Sequence, residues 1–235
     1  MKILERDYGS PFVSKLKINT WGQRKALEFL PELSVSEGPM ASFLVVKKKP
    51  LFTIKKPYAL LWRKMNIVEY KSLKAPMNMH LLAKAHIYAH EVLCFGTKLE
   101  PVELEDLTVS IFRQTYPRKF FKECKKRGVT VEKKKPGVYV VKGFSCIPTQ
   151  VVVLSLVEDP MLRSIVPGAK KEDIGRLLSF IEEERGDRFR KLGGDVLRLL
   201  QETNGETLME MREEAQKNRN TREEKEITHL FLIQL

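Results

Sequence analysis

Alternating and helical spacings of apolar residues divide the chain into two stretches of different character. Up to about residue 165, short apolar runs of strand type alternate with helical patterns, and beyond it only helical spacing remains. The first twenty residues carry Gly9 and Pro11 with little periodicity and read as an irregular lead-in. Within residues 23–30, Ala26, Leu27, Phe29 and Leu30 predict a short helix that Pro31 ends. Residues 41–46 form a compact apolar run between Gly38-Pro39 and Lys47-Lys48-Lys49-Pro50, the pattern of a buried strand, and residues 51–54 read as a second short one. Residues 57–62 lead by a turn or half helix into a strand at 67–71. A helix opens at Asn78, whose side chain can accept from the free donors of the first turn, and runs to about residue 93. Leu82, Ala85, Tyr88, Ala89 and Val92 form its buried face, with Lys84 one turn from Tyr88 at the rim.

A strand at 107–112 follows, then a helix with Pro117 in its first turn that runs through Arg127. Residues 129–132 and 138–141 read as a hairpin about Pro136-Gly137, and 150–154 as a last buried strand. The order predicts an α/β or α+β domain over residues 1–165, built on one mixed sheet. A boundary is expected between Asp159-Pro160 and Pro167-Gly168. The region 166–235 is then a helical appendage, with segments at 171–184, 195–202 and 206–217, a charged block at 219–225 and an apolar terminus at 230–235. Such an appendage would pack on the domain or on another subunit, which leaves monomer and homodimer both open.

Composition changes this picture little, and charge changes it more. With 43% hydrophobic, 31% charged and 9% aromatic residues over 235, the chain has the make-up of an ordinary globular protein. No apolar run approaches the roughly 18 residues of a membrane span, and residues 1–7 become charged before a signal-like segment develops, so a cytoplasmic protein without a membrane partner is expected. Cys94, Cys124 and Cys146 are odd in number and scattered, which supports neither a disulfide framework nor a paired-cysteine metal site. The net charge of +12 is uneven: residues 1–165 hold 29 Lys+Arg against 15 Asp+Glu, and the remainder 13 against 15. A long polyanion is the natural partner of the first part, although solubility alone also accounts for a moderate excess. The excess concentrates at Lys47, Lys48 and Lys49, at Lys55 and Lys56, at Arg63 and Lys64, and on the helix with Arg118, Lys119, Lys122, Lys125, Lys126 and Arg127.

One stretch carries candidate chemistry. In Met65-Asn66-Ile67-Val68-Glu69-Tyr70-Lys71-Ser72 a strand's period of two puts Val68 and Tyr70 on one face and Ile67, Glu69 and Lys71 on the other. The carboxylate can hold a divalent metal, and the ammonium beside it can orient water and neutralise charge developing on a phosphate oxygen. A solvated ion pair is the plainer use of the same two residues. His86 and His90, one helical turn apart, have transition-metal spacing, but with no third ligand evident they read as polar surface histidines.

Residues 42–93, with later stretches, resemble a bacterial family, the PD-(D/E)XK nuclease-like proteins of the recombination-promoting nuclease or transposase type. The resemblance lies in Phe43-Leu44-Val45-Val46-Lys47-Lys48, in Trp62-Arg63-Lys64, in Asn66-Ile67-Val68-Glu69-Tyr70-Lys71-Ser72, and in Lys84 with Tyr88. Tyr116-Pro117-Arg118-Lys119, Pro136-Gly137-Val138-Tyr139 and Ile147-Pro148-Thr149-Gln150 follow in matching order, so it covers roughly residues 20–165. It implies a restriction-endonuclease-like mixed sheet flanked by helices, with a site at one edge where two strands diverge, and a Mg²⁺-dependent endonuclease acting on DNA. Glu69 is then the metal-binding acid, the Tyr70 carbonyl a further ligand, Lys71 the residue that positions water, and Lys84 a group near the phosphate. Glu28 matches an acid that some relatives contribute. The chain departs from the family where an Asp ligand is expected, for that position is Ser42. Losing one of two anionic ligands weakens Mg²⁺ binding greatly, with Glu28 or Glu37 left as substitutes. The alternative function is a catalytically inactive module that binds nucleic acid or protein.

Overall fold

The computed structural model describes residues 11–30, 43–95, 101–184 and 186–220. They form two compact units, one of residues 20–157 and one that joins 11–19 to 158–220. The helix α1 (Pro11–Asn19) belongs to the second unit, while α2 (Met79–Phe95) and α3 (Arg118–Lys126) belong to the first.

The first unit is built on a seven-stranded mixed sheet. Its strands are β1 (Leu27–Leu30), β2 (Leu44–Lys48), β3 (Met65–Lys71), β4 (Leu107–Arg113), β5 (Thr130–Lys135), β6 (Val138–Lys142) and β7 (Thr149–Val153), in the spatial order β1-β2-β3-β4-β7-β6-β5. β3, β4 and β7 run parallel at the centre, and every other pairing is antiparallel. The mixed α/β architecture read from the pattern is what is observed. On one face Met65, Ile67, Val109 and Ile111 alternate inward and pack with Leu82, Ala85, Ala89 and Val92 of α2 and with Phe120 and Cys124 of α3. Asn78 opens α2 as expected, its Oδ1 accepting from the Leu81 N–H at 2.9 Å.

The opposite face carries a polar inlay that the pattern did not announce. Asn66 is fully buried; its amide donates to the Val46 and Arg63 carbonyls, both at 2.9 Å, and accepts from the Thr108 hydroxyl at 2.7 Å and the Arg63 N–H at 2.8 Å. Ser110 accepts from the Trp62 indole at 3.2 Å and the Gln150 amide at 2.8 Å, and that amide also donates to the Tyr58 carbonyl. Tyr58 and Trp62, from the segment with the short 3-10 turn Pro57–Ala59, lie over this inlay with their rings 5.7 Å apart, edge to face.

Two expectations for this unit are corrected. Residues 23–30 are not a helix but a 3-10 turn, Trp21–Ala26, followed by β1. The apolar positions of so short a run fit either period, and pairing of Leu27 through Leu30 with β2 supplies backbone partners that a one-turn helix lacks. Residues 51–54 form no strand, because Leu51 adopts φ 68° and turns the chain. That left-handed conformation costs a non-glycine residue about 1–3 kcal/mol.

The second unit is helical. The expected irregular lead-in is α1 over its described part, with Phe12, Val13, Leu16 and Ile18 buried and the helix packed against α6 (Asp187–Asn220). Lys15 is fully buried and donates to the Ser164 hydroxyl at 3.2 Å, while Ser14 donates to Asp195 at 2.7 Å. Asp159 caps the one-turn α4 (Pro160–Arg163), accepting from the Met161 and Leu162 N–H groups. Arg163 then grips Asp173 of α5 (Lys171–Glu183) through two 2.8 Å bonds. These contacts put residues 158–165 with the helices, so the division falls at 157 and again at 19 rather than at 165. The two helices expected at 195–202 and 206–217 are the two halves of α6, which is broken between them by the non-helical Asn204 (φ −140°, ψ 33°). The Asn204 amide donates to the Ser164 carbonyl at 3.0 Å and accepts from the Ala169 N–H at 3.1 Å, which replaces what the helix loses there. Residues 221–235, with the apolar terminus and most of the charged block, lie outside the described residues.

Candidate functional site

β3 lies between antiparallel β2 and parallel β4, and the period-two face of Met65 and Ile67 ends in Glu69 and Lys71. Glu69 is only 3% exposed, and Lys71 Nζ stands 2.8 Å from its Oε1 with 22% of the lysine side chain exposed. The pair is therefore not a solvated one. Its acid is inside the fold, and its base reaches from the acid to the surface, where an anion can meet it. Breaking such a pair leaves an uncompensated buried charge, so the two residues constrain each other.

The backbone after the pair is held by β4. Lys71 and Arg113 are register partners, and Arg113 donates to the carbonyls of Ser72, Leu73 and Ala75. Gln114 accepts from the Leu73 N–H at 2.6 Å. Burial pulls the Arg113 guanidinium below its ordinary pKa, with Tyr70 acting the other way. Sequence reasoning missed Arg113 and Gln114; the signal is a cation and an amide placed directly after the apolar run of β4. This clamp fixes the carboxyl end of β3, and in sheets with parallel strands such ends are where ligands commonly bind.

The other candidates fall in several places. Tyr70 is half-buried and pairs with Phe112 in the ladder, its side chain on the face away from Glu69. Lys84 is half-buried on α2 and makes no hydrogen bond or ion pair among the described residues, so nothing ties it to Glu69. Tyr88 is buried with the rest of its helical face, stacked on Phe43 with centroids 5.3 Å apart. Ser42 and Glu37 lie outside the described residues. Glu28 does not join the site. It pairs with Lys47, which pairs with Met65, so it sits four strand residues from the Glu69 row, about 13 Å at the usual rise, and two strands across.

Glu69 suits Mg²⁺ as one carboxylate ligand, but among the described residues no group of three or more His, Cys, Asp or Glu side chains could hold a metal ion. The His86 and His90 expectation is corrected in part. His90 is exposed, whereas His86 is buried between α2 and β7, with Nε2 3.0 Å from the Thr149 hydroxyl and its ring 5.0 Å from Phe144. Burial, helped by His90, pushes the His86 pKa down to about 4.

The basic residues separate into two groups. Arg118, Lys119 and Lys122 are exposed on α3, which begins five residues after β4 ends and so starts from the same end of the sheet as Glu69. Lys47, Lys48, Arg63 and Lys64 lie at the opposite end, beside Met65. Several of these are engaged locally: Lys48 with the Phe52 carbonyl at 3.0 Å, Arg63 with the Glu105 carbonyl at 2.8 Å, and Lys64 with Asp106 at 3.5 Å. No helix among the described residues is long and apolar enough to cross a membrane. The chain matches no family model, no curated protein and no solved structure.

Proposed function

We propose that this chain is a PD-(D/E)XK nuclease-like, cytoplasmic DNA-binding protein whose own Mg²⁺-dependent phosphodiester hydrolysis is feeble or absent. The observation that carries the reading is the Glu69–Lys71 pair, an acid 3% exposed beside a base that reaches the surface at the carboxyl end of β3. The succession of antiparallel β2 and β3, α2 and parallel β4 supports a restriction-endonuclease-like sheet. The charge supports a polyanion partner, since residues 20–157 hold 24 Lys+Arg against 11 Asp+Glu.

In this reading Lys71 meets a phosphate oxygen at the surface while keeping its bond to Glu69, and the exposed Arg118, Lys119 and Lys122 follow the backbone beyond it. A divalent ion at such a site polarises the phosphate and lowers the pKa of bound water. Glu69 would be its carboxylate ligand, and serine at position 42, where the resemblance expects aspartate, is the reason hydrolysis is feeble.

The test is nicking of supercoiled plasmid with Mg²⁺ or Mn²⁺ against EDTA, together with fluorescence anisotropy of a duplex across a salt series. The unmodified chain should bind DNA with an affinity that falls steeply with salt and should cut little or nothing. Ser42→Asp should bring cleavage, and Glu69→Ala or Lys71→Ala in that background should remove it. Vigorous cleavage by the unmodified chain would mean that another ligand completes the site, and a flat salt response would remove nucleic acid as the partner.

A further inference from the structure

The loop after β2 presents apolar side chains to solvent in a setting built to hold them still. Leu51 is 104% exposed and Phe52 50%. Lys48 Nζ donates to the Phe52 carbonyl at 3.0 Å, and the Gln23 amide donates to the Thr53 carbonyl and accepts from the Lys55 N–H, both at 3.0 Å. The Lys49 N–H bonds to the Ala26 carbonyl at 2.9 Å, and Ile54 is buried as an anchor just beyond the tip. Pro50 stiffens the approach, and Leu51 is kept at φ 68°. A strained, clamped backbone whose only product is an exposed Leu-Phe step points to contact with something outside the chain.

The surroundings indicate what that is. Between residues 43 and 68 the chain carries seven cations, Lys47, Lys48, Lys49, Lys55, Lys56, Arg63 and Lys64, and not one Asp or Glu. Lysines thus precede and follow the apolar tip, which is complementary to a polyanion with an apolar interior. Duplex DNA has that character, with phosphates on the rims of a groove and stacked bases between them. An anionic lipid surface shares the charge, but it adapts to a loose loop. Parting a base step demands a wedge that does not spend the gain on its own ordering.

We propose that Pro50-Leu51-Phe52 is a wedge that enters a groove of duplex DNA and kinks it, with the flanking lysines on phosphates to either side. This rests on the DNA-binding reading above and extends it to the far end of the sheet. The wedge lies beyond the Met65 row, at least about 13 Å from Glu69 along β3, which corresponds to about four base pairs of duplex. DNA that meets both is therefore contacted at two separated places.

The experiment uses the full chain and a 30-base-pair duplex (an arbitrary length of about three helical turns) with a donor and an acceptor dye at its ends. Binding should raise energy transfer as the ends approach. The double variant Leu51→Ala with Phe52→Ala should bind about ten-fold more weakly, leave energy transfer at the free-duplex value, and keep the wild-type salt slope because no phosphate contact is removed. Leu51→Gly suits the left-handed backbone, guards against a folding defect and should show the same loss in direction. If the variants match the wild type in affinity and energy transfer, the wedge is wrong while DNA binding stands. If the wild type binds no duplex at low salt, both readings fall. If the wild type co-sediments with phosphatidylserine vesicles, the variants do not, and energy transfer never changes, the tip serves a lipid surface and the proposal is overturned.

Discussion

β3 carries two deeply buried polar side chains three residues apart and on opposite faces, and they differ in kind. Asn66 is neutral and uses both donors and both acceptor positions on groups that are themselves fixed, namely two carbonyls, an N–H and the Thr108 hydroxyl. Glu69 is charged, and its ion-pair partner Lys71 extends to the surface. A satisfied neutral group locks strands and offers a ligand nothing. A buried charge whose counter-ion touches solvent stays open to exchange with an external anion or cation, so burial of a polar residue alone does not identify a site.

The largest effect expected from that contrast is on stability at Asn66. Asn66→Ala removes the acceptor of the Arg63 N–H and of the Thr108 hydroxyl and takes one donor from each of the Val46 and Arg63 carbonyls. At 1–3 kcal/mol for each unsatisfied group, partly recovered by relaxation, the cost should be about 4 kcal/mol. Urea unfolding measures it as a lower midpoint at unchanged slope. Duplex affinity of the fraction that remains folded should not move, and a selective loss of binding would erase the distinction between the two residues.

His86 sharpens the contrast as a buried polar group of a third kind, neutral only while the pH allows. Its pKa is pushed from 6.5 down to about 4 by burial and then by His90. The native state therefore refuses a proton that the unfolded chain accepts. The stability this represents is complete above pH 6.5 and is lost as the pH falls from there towards 4, by up to about 3 kcal/mol. Carboxylates titrate nearby in pH, so the measurement is a comparison of unfolding free energies at pH 7 and 4.5 for wild type and His86→Gln, with the decline shallower by about 2 kcal/mol in the variant. Equal declines would place the proton elsewhere.

How much of this was legible in the sequence follows from the range of the forces concerned. β3, α2, β4, α3, the β5–β6 hairpin and β7 all stood out because period-two or helical spacing, the Asn78 cap and the Pro136-Gly137 turn are local signals, and the shared face of Glu69 and Lys71 follows from the strand period alone. β1 was misread because four apolar residues fit two periods until β2 supplies a ladder. α1 was missed because its apolar residues gain meaning only against α6, which lies far along the chain. His86 looked like a surface residue since Thr149 and Phe144, which enclose it, come some sixty residues later. The polar inlay did leave a trace: Asn66, Thr108, Ser110 and Gln150 each stand at inward positions of otherwise apolar strands, and reading the strands side by side would have found it.

The smallest predicted effect on stability is the most telling about Glu69. If this carboxylate is kept for what it binds rather than for the fold, its removal should be tolerated where removal of Asn66 is not. Glu69→Gln keeps the shape and abolishes a buried charge that must otherwise be compensated, while Lys71, 22% exposed, turns to water at little cost. Unfolding free energy should then change by no more than about 1 kcal/mol in either direction. Lys71→Met should cost more than Glu69→Gln, since it strands the carboxylate, and the two together should cost less than their sum, with a coupling of about 1 kcal/mol. Cleavage regained in the Ser42→Asp background should nonetheless vanish in both single variants. Loss of several kcal/mol from Glu69→Gln alone would make Glu69 a second Asn66, a structural residue, and would take the site with it.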